Sequence, residues 1–178
     1  MVSAHKAIWI KAGYETFALS GPSSLKIEPL AKQVGISKSS FYHHFADLDI
    51  FLEHLLDHHL QQSRIIANKE KQAQNIDPEL IDIILEHGTD LLFNRQLRIC
   101  RENKLFDDLL QQSNQIVGDY FVMVWVKEIS LKLNKPQLEG IFELALENFF
   151  LQITPTNLDR NWLSNYFSHL KKIIAHFS

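Results

Sequence analysis

Apolar residues recur three and four positions apart along most of the chain. No stretch keeps the two-residue alternation of a strand, so the pattern predicts an all-α protein. Trp9, Ile10, Gly13, Tyr14 and Phe17 share one face of a first helix spanning about 3–20, which "SGPSS" ends. A short helix is expected over about 27–34, with Pro29 in the first turn, where no amide donor is needed. Gly35 stops it. Ser37 then caps a third helix over about 38–45, and Asp47 caps a fourth that reaches about Ala67.

The polar run "NKEKQAQNID" separates this group from a second set of helices, expected over about 78–93, 105–112, 116–133, 136–153 and 158–177. The pattern therefore divides the chain into residues 1–48 and a larger helical body, residues 49–178. No internal repeat or low-complexity tract interrupts either part.

Charge adds an asymmetry. Residues 1–48 carry five lysines against Glu15, Glu28 and Asp47, a net +2, which leaves −5 on the rest because the whole chain is −3. A basic head on an acidic body is the pattern expected when only the head meets a polyanion. Cys100 is the single cysteine, which excludes an internal disulfide and favours a reducing compartment. The apolar runs are too short to cross a bilayer, and "MVSAHKAIWIKAG" lacks the apolar core of a secretory signal. A cytoplasmic protein without membrane contact is the expectation.

Two short helices joined by a glycine turn, the second one capped, outline a helix-turn-helix. Ile27, Leu30, Ala31, Val34, Ile36, Phe41 and Phe45 can close a small core with Phe17. That leaves Lys38, Ser39, Ser40, Tyr42, His43 and, at the edge, His44 on the outer face of the third helix. Small hydroxyls allow close approach to base edges, while lysine, tyrosine and the amides at the helix start reach phosphates. Such a face suits a major groove.

Over residues 9–51 the chain resembles the DNA-binding domain of the TetR family of bacterial transcriptional regulators. Ile10, Ala12 and Phe17 match in the first helix, followed by Gly21, with five residues between that glycine and Ile27. "IEPLAKQVGISKSSFYHHF" carries the family's Leu30-Ala31 pair, its "VGIS" turn and its aromatic-rich end. The resemblance implies an amino-terminal three-helix DNA-binding domain followed by a helical ligand-binding and dimerisation domain. It implies a homodimer on a palindromic double-stranded DNA operator, acting as a repressor that a small-molecule effector releases. By motif position Tyr42 and His44 correspond to backbone-contacting residues, and Lys38, Ser39, Ser40 and His43 occupy the readout helix. With Lys26 and Ser37 they form the expected DNA-binding set. The chain departs from the family at Leu48, where a phosphate-reaching lysine is common, at Lys26 for a capping threonine, and at Ser39 for a frequent glycine. No basic arm precedes the first helix.

Other residue groups admit more than one reading. Phe93, Cys100, Phe106, Phe121 and Trp125, with Leu97, Tyr120 and Met123, are candidates to line an apolar effector cavity, although aromatics at this spacing also make plain core. Arg95, Arg98 and Arg101 are expected on an exposed edge, paired with Glu102 and Asp107. His54 and His58, with His59 adjoining, have a metal-sharing spacing, but no cysteine or carboxylate pattern completes a site, so no metal and no fixed cofactor is expected. Cys100 is expected buried and inert. The last two helices carry wide apolar stripes, including Phe142, Phe149 and Phe150 on one and Trp162, Leu163, Tyr166, Phe167, Ile173, Ile174 and Phe177 on the other, and are expected to form a four-helix dimer interface. No nucleophile–base pair or phosphate-cradling glycine loop argues for an enzyme. A rival reading is a helical ligand-binding or protein-interaction module whose DNA-binding head has decayed, supported by the thin basic charge and Leu48. If Leu48 removes a phosphate contact, Leu48→Lys should tighten DNA binding and steepen the log–log salt slope by about one unit. Equal affinities in a salt titration of the two proteins would remove that explanation.

Overall fold

A computed structural model describes residues 4–129 and 134–175, and among these every regular element is helical. Helix α1 (Ala4–Ser20) leads through a single turn at Pro22–Ser24 into α2 (Ile27–Val34) and α3 (Lys38–His44). Gly35 takes the left-handed conformation between them, with φ 68°, a backbone that a side chain would strain. Asp47 Oδ1 accepts from the Ile50 amide at 2.9 Å and starts the long α4 (Leu48–Glu70). The body continues with α5 (Ile81–Glu86), α6 (Gly88–Ile99), α7 (Lys104–Ile129), α8 (Lys135–Gln152) and α9 (Arg160–Ala175). No helix among the described residues is long and apolar enough to cross a membrane.

The head closes on aromatic rings. Trp9 meets Phe41 edge-on at 5.3 Å, and Phe51 of α4 meets Phe41 at 5.2 Å and Phe45 at 4.8 Å. All four side chains are buried, and each phenyl so removed from water contributes about 1.5–3 kcal/mol. The α1–α4 crossing needs Gly13, because a Cβ there would stand 2.3 Å from Phe51 Cζ. An alanine would displace a core ring, at a cost of about 1–3 kcal/mol.

The head does not stand apart from the body. α1 lies along α6 as well as α4, and α4 in turn packs along α7. Phe93 of α6 stacks on both Tyr14 (4.3 Å) and Phe17 (4.1 Å) of α1, and Phe106 of α7 meets Phe17 edge-on. One hydrophobic cluster therefore runs from Trp9 to Phe167.

The amino-terminal elements follow the sequence pattern closely, whereas the middle departs from it. The helix expected over 78–93 is instead a wide turn at Ile76–Leu80, then α5, then a break at His87, with α6 running on to Ile99. Asn75 Oδ1 accepts from the Glu79 amide at 3.2 Å and starts the turn. At the break the His87 ring is held by Asp90 at 2.8 Å, and Leu158 packs 3.1 Å from where a Gly88 Cβ would stand. The helices expected at 105–112 and 116–133 are one continuous α7. Ser113 and Asn114, which resemble a polar break, point inward to partners instead. The last four residues of that expected range, and the expected ends at Ser3 and Phe177, lie outside the described residues.

Candidate functional site

At the head, the Ser37 hydroxyl accepts from the Ser40 amide at 3.4 Å and orients α3. Phe41 and Phe45 are anchored in the core, so the opposite face is turned outward. Lys38, Ser39 and His43 are exposed, Tyr42 is 58% exposed, and His44 is half-buried. Desolvation, then His43, His5 and Lys6, lower the His44 pKa below the usual histidine value. Lys26 is exposed at the start of α2 on extended backbone and makes no side-chain cap there. Ser40 differs from the rest: its hydroxyl is buried without a hydrogen-bond partner among the described residues, so it does not face the groove side. Leu48 is half-buried against the head core. The helix thus presents one lysine, a small hydroxyl, a phenol and an imidazole on an outward face.

Behind α1 lies a polar chain that sequence reading did not assemble. The Tyr14 hydroxyl donates to Asp90 Oδ1 at 2.8 Å and lies 2.8 Å from His59 Nδ1. A phenol has one proton, so His59 Nδ1 must carry its own and donate to Tyr14. His59 Nε2 is then left to accept, and the Ser113 hydroxyl is 3.3 Å away. Ser63 spends its proton on the His59 carbonyl at 2.9 Å, so the single Ser113 proton is shared between Ser63, 2.9 Å away, and His59 Nε2, while Asn94 Nδ2 donates to Ser113 at 3.3 Å. On the far side His87 Nδ1 donates to Asp90 Oδ2, because Lys69 occupies its Nε2 at 3.1 Å. The protons of Tyr14, His59 Nδ1 and His87 Nδ1 all point toward the Asp90 carboxylate.

Electrostatics hold this arrangement fixed. Burial, then the Asp90 charge, push the Tyr14 phenol well above its ordinary pKa. Burial, then His58, push His59 down to about 3, so its ring is neutral.

The same residues reach a cavity of about 150 Å³ enclosed by α4, α5, α6, α7, α8 and α9. His59, Ser63, Ser113 and Asn94 form its polar end, and Phe142, Phe149, Tyr166 and Phe167 much of its apolar wall. Glu70 also lines it, and burial pushes that carboxyl up to about 8. Arg98 is buried beside the cavity rather than on an exposed edge. It donates to Asn94 (3.2 Å) and Asn114 (3.1 Å), pairs with Glu147 of α8 and lies over the Phe150 ring at 4.5 Å. The expected partners Glu102 and Asp107 are not used, because α8 crosses α6 at this point.

The described members of the expected cavity set sit elsewhere. Phe93 and Phe106 are buried in the seam between α1 and the body, Met123 is exposed, and Cys100 is half-buried, with burial raising its thiol pKa. The side chains of Phe121 and Trp125 lie outside the described residues. The three histidines are spread among different contacts: His54 meets Lys6 at 3.1 Å, His58 lies edge-on to Tyr14, and His59 is in the polar chain. No group of three metal-ligating side chains forms among the described residues.

Comparison with known proteins matches residues 10–53 to the family described as bacterial regulatory proteins, tetR family. A crystal structure from Rhodococcus sp., of a protein described as a TetR-family transcriptional regulator, superposes with a TM-score of 0.54 at 20% identity and covers 96% of both chains. That likeness is one of fold. No curated protein matches the chain.

Two of the shifted groups, Glu70 and His59, set opposing pH dependences. Glu70, raised from 4.5 to about 8, binds its proton more tightly when folded, so its contribution to stability is lost as pH rises across that window. His59, lowered from 6.5 to about 3, contributes stability that is lost as pH falls from 6.5 to 3. Between 4.5 and 6.5 the two cancel, and from 6.5 to 8 Glu70 alone acts. Denaturation across pH should show stability declining from 6.5 to 8, and Glu70→Gln should flatten that limb. An unchanged limb in the variant would refute the assignment.

Proposed function

We propose, from the match of residues 10–53 to the tetR family of bacterial regulatory proteins, that this chain is a homodimeric repressor released from its operator by a small molecule. Transcription regulation by DNA binding is the part of that statement which the family match supports directly. The finer part rests on one observation above all. The serine-capped α3 has its aromatic side anchored and its Lys38–Ser39–Tyr42–His43 side outward, the shape required to lie in a major groove. In this reading residues 1–48 contact the operator through Lys26, Ser37, Lys38, Ser39, Tyr42, His43 and His44, and residues 49–178 hold the effector and dimerise.

The dimer reading is supported by what α8 and α9 leave over. Phe149, Phe150, Leu163 and Phe167 are spent on the core of one subunit, yet Leu144 and Leu151 of α8 are each 74% exposed, and Ile173 of α9 is 44% exposed. A second copy would cover these apolar side chains and set the separation of the two heads. The side chain of Ile174 and the whole of Phe177 belong to the same expected stripe but lie outside what is described.

Release would follow from shared residues. His59 faces the cavity and bonds Tyr14 of α1, so a ligand that favours one arrangement of His59 and Ser113 also favours one seat for the head. Operator affinity then falls when the favoured seat no longer matches half-sites one helical turn apart.

Selection of genomic fragments by the full chain at low salt tests this reading. The recovered fragments should share an inverted repeat with half-sites centred about 10 base pairs apart, or a multiple of that. Placed before a reporter, such a fragment should lower transcription when the protein is present. Failure to retain any fragment would favour the rival, a ligand-binding or interaction module whose head no longer reads DNA.

A further inference from the structure

The cavity behind α4 has a wall chemistry that restricts what it admits. Glu70, at the end of α4, is 4% exposed and lines the cavity, and its Oε2 has no hydrogen-bond partner among the described residues. A buried carboxyl left unpaired is costly, and a ligand that supplies the missing donor recovers that cost on binding. Asp90 is the second acid on the wall, but Tyr14 and His87 already occupy its oxygens. Among the described lining residues none is a lysine or arginine, and the one lining histidine, His59, is neutral and fully engaged. Arg98, the nearest guanidinium in the network, is committed to Glu147, Asn94 and Asn114.

A carboxylate or phosphate group would therefore meet an acid and no cation. A basic nitrogen would meet the Glu70 carboxyl, which can give up its proton and pair with it in a low-dielectric site, with the faces of Phe142, Phe149 and Tyr166 for the rest of the molecule. The volume, about 150 Å³, is that of a site for a single ring.

We infer that the cavity binds a small organic amine, one apolar ring carrying a short basic arm, with the ammonium held by Glu70 and the ring among the aromatic side chains of α8 and α9. The inference rests on the reading of this cavity as the effector site and specifies its ligand class. Pairing with an ammonium leaves Glu70 as the carboxylate, and the proton it held passes to solvent.

Calorimetric titration of the full chain with benzylamine, benzyl alcohol and benzoate tests it. These probes share one ring and differ in the charge of the arm. Benzylamine should bind about tenfold to a hundredfold more tightly than benzoate, the range of a charge-assisted hydrogen bond. Glu70→Gln, which keeps the side-chain volume, should remove about that factor for benzylamine and affect benzyl alcohol, which carries no charge to pair, far less. Benzoate binding as well as benzylamine, no benzylamine binding, or a Glu70→Gln protein that keeps full amine affinity would each overturn the inference. The comparison of probes on the unmodified chain decides the matter even if the variant does not fold. Parallel DNA-binding assays separate the two readings. Benzylamine that binds without changing DNA affinity supports the ligand class and contradicts the effector reading. Release of DNA by an acid where benzylamine fails overturns the ligand class and leaves the effector reading standing.

Discussion

Tyr14 joins the two halves of this protein. Its ring is stacked on Phe93 of α6, and its hydroxyl lies 2.8 Å from both His59 of α4 and Asp90 of α6. The helix that carries it, α1, is also the helix that backs the head, through Trp9 on Phe41. A single side chain thus ties the element supporting α3 to two helices that wall the cavity. Buried polar groups carry a large penalty when unpaired, so the arrangement is stable only when every partner is in place. Here Tyr14 and His59 each donate to a single acceptor, and burial holds His59 neutral and Tyr14 protonated.

That constraint gives the architecture a physical route between the cavity and the head. The polar end of the cavity and the seat of α1 are not two sites linked by a long path, because His59 belongs to both. A change at Ser113 or Asn94 alters the partner of His59 Nε2, while its Nδ1 proton is what Tyr14 accepts. Population shift in this setting needs only a difference in ligand affinity between two seats of the head. The rest of the body serves to keep the cavity closed: Arg98 fastens α6 and α7 to α8, and Tyr166 donates from α9 to the Ala145 carbonyl of α8 at 3.0 Å.

The head was legible in the sequence because its signals are local. A cap at Ser37, a glycine that must turn left at position 35, and Asp47 before a long periodic run each act within a few residues, and α2 ends and α3 and α4 begin where they indicate. The body was legible in helix content but not in detail. Ser113 and Asn114 resemble a loop until Ser63, His59 and Arg98 are brought to them from other helices. His87 looks like any helical residue until Asp90 and Lys69 take both its nitrogens. Phe93 and Phe106 carry the spacing of a pocket wall, yet α1 covers them. The cavity acids were missed for the same reason: Glu70 sits inside a polar run that reads as a linker, and only the end of α4 turns it inward. One signal was available, since a tyrosine in the apolar stripe of the first helix requires a buried partner for its hydroxyl.

Scanning calorimetry of the full chain beside Tyr14→Phe tests most directly whether this tyrosine couples head to body. The account predicts one cooperative transition for the unmodified protein. The variant, which strips a donor from Asp90 and an acceptor from His59, should melt about 3–10 °C lower, from a loss of about 1–3 kcal/mol. A head that melts separately in the unmodified chain, or a Tyr14→Phe protein with the same melting temperature, would contradict it.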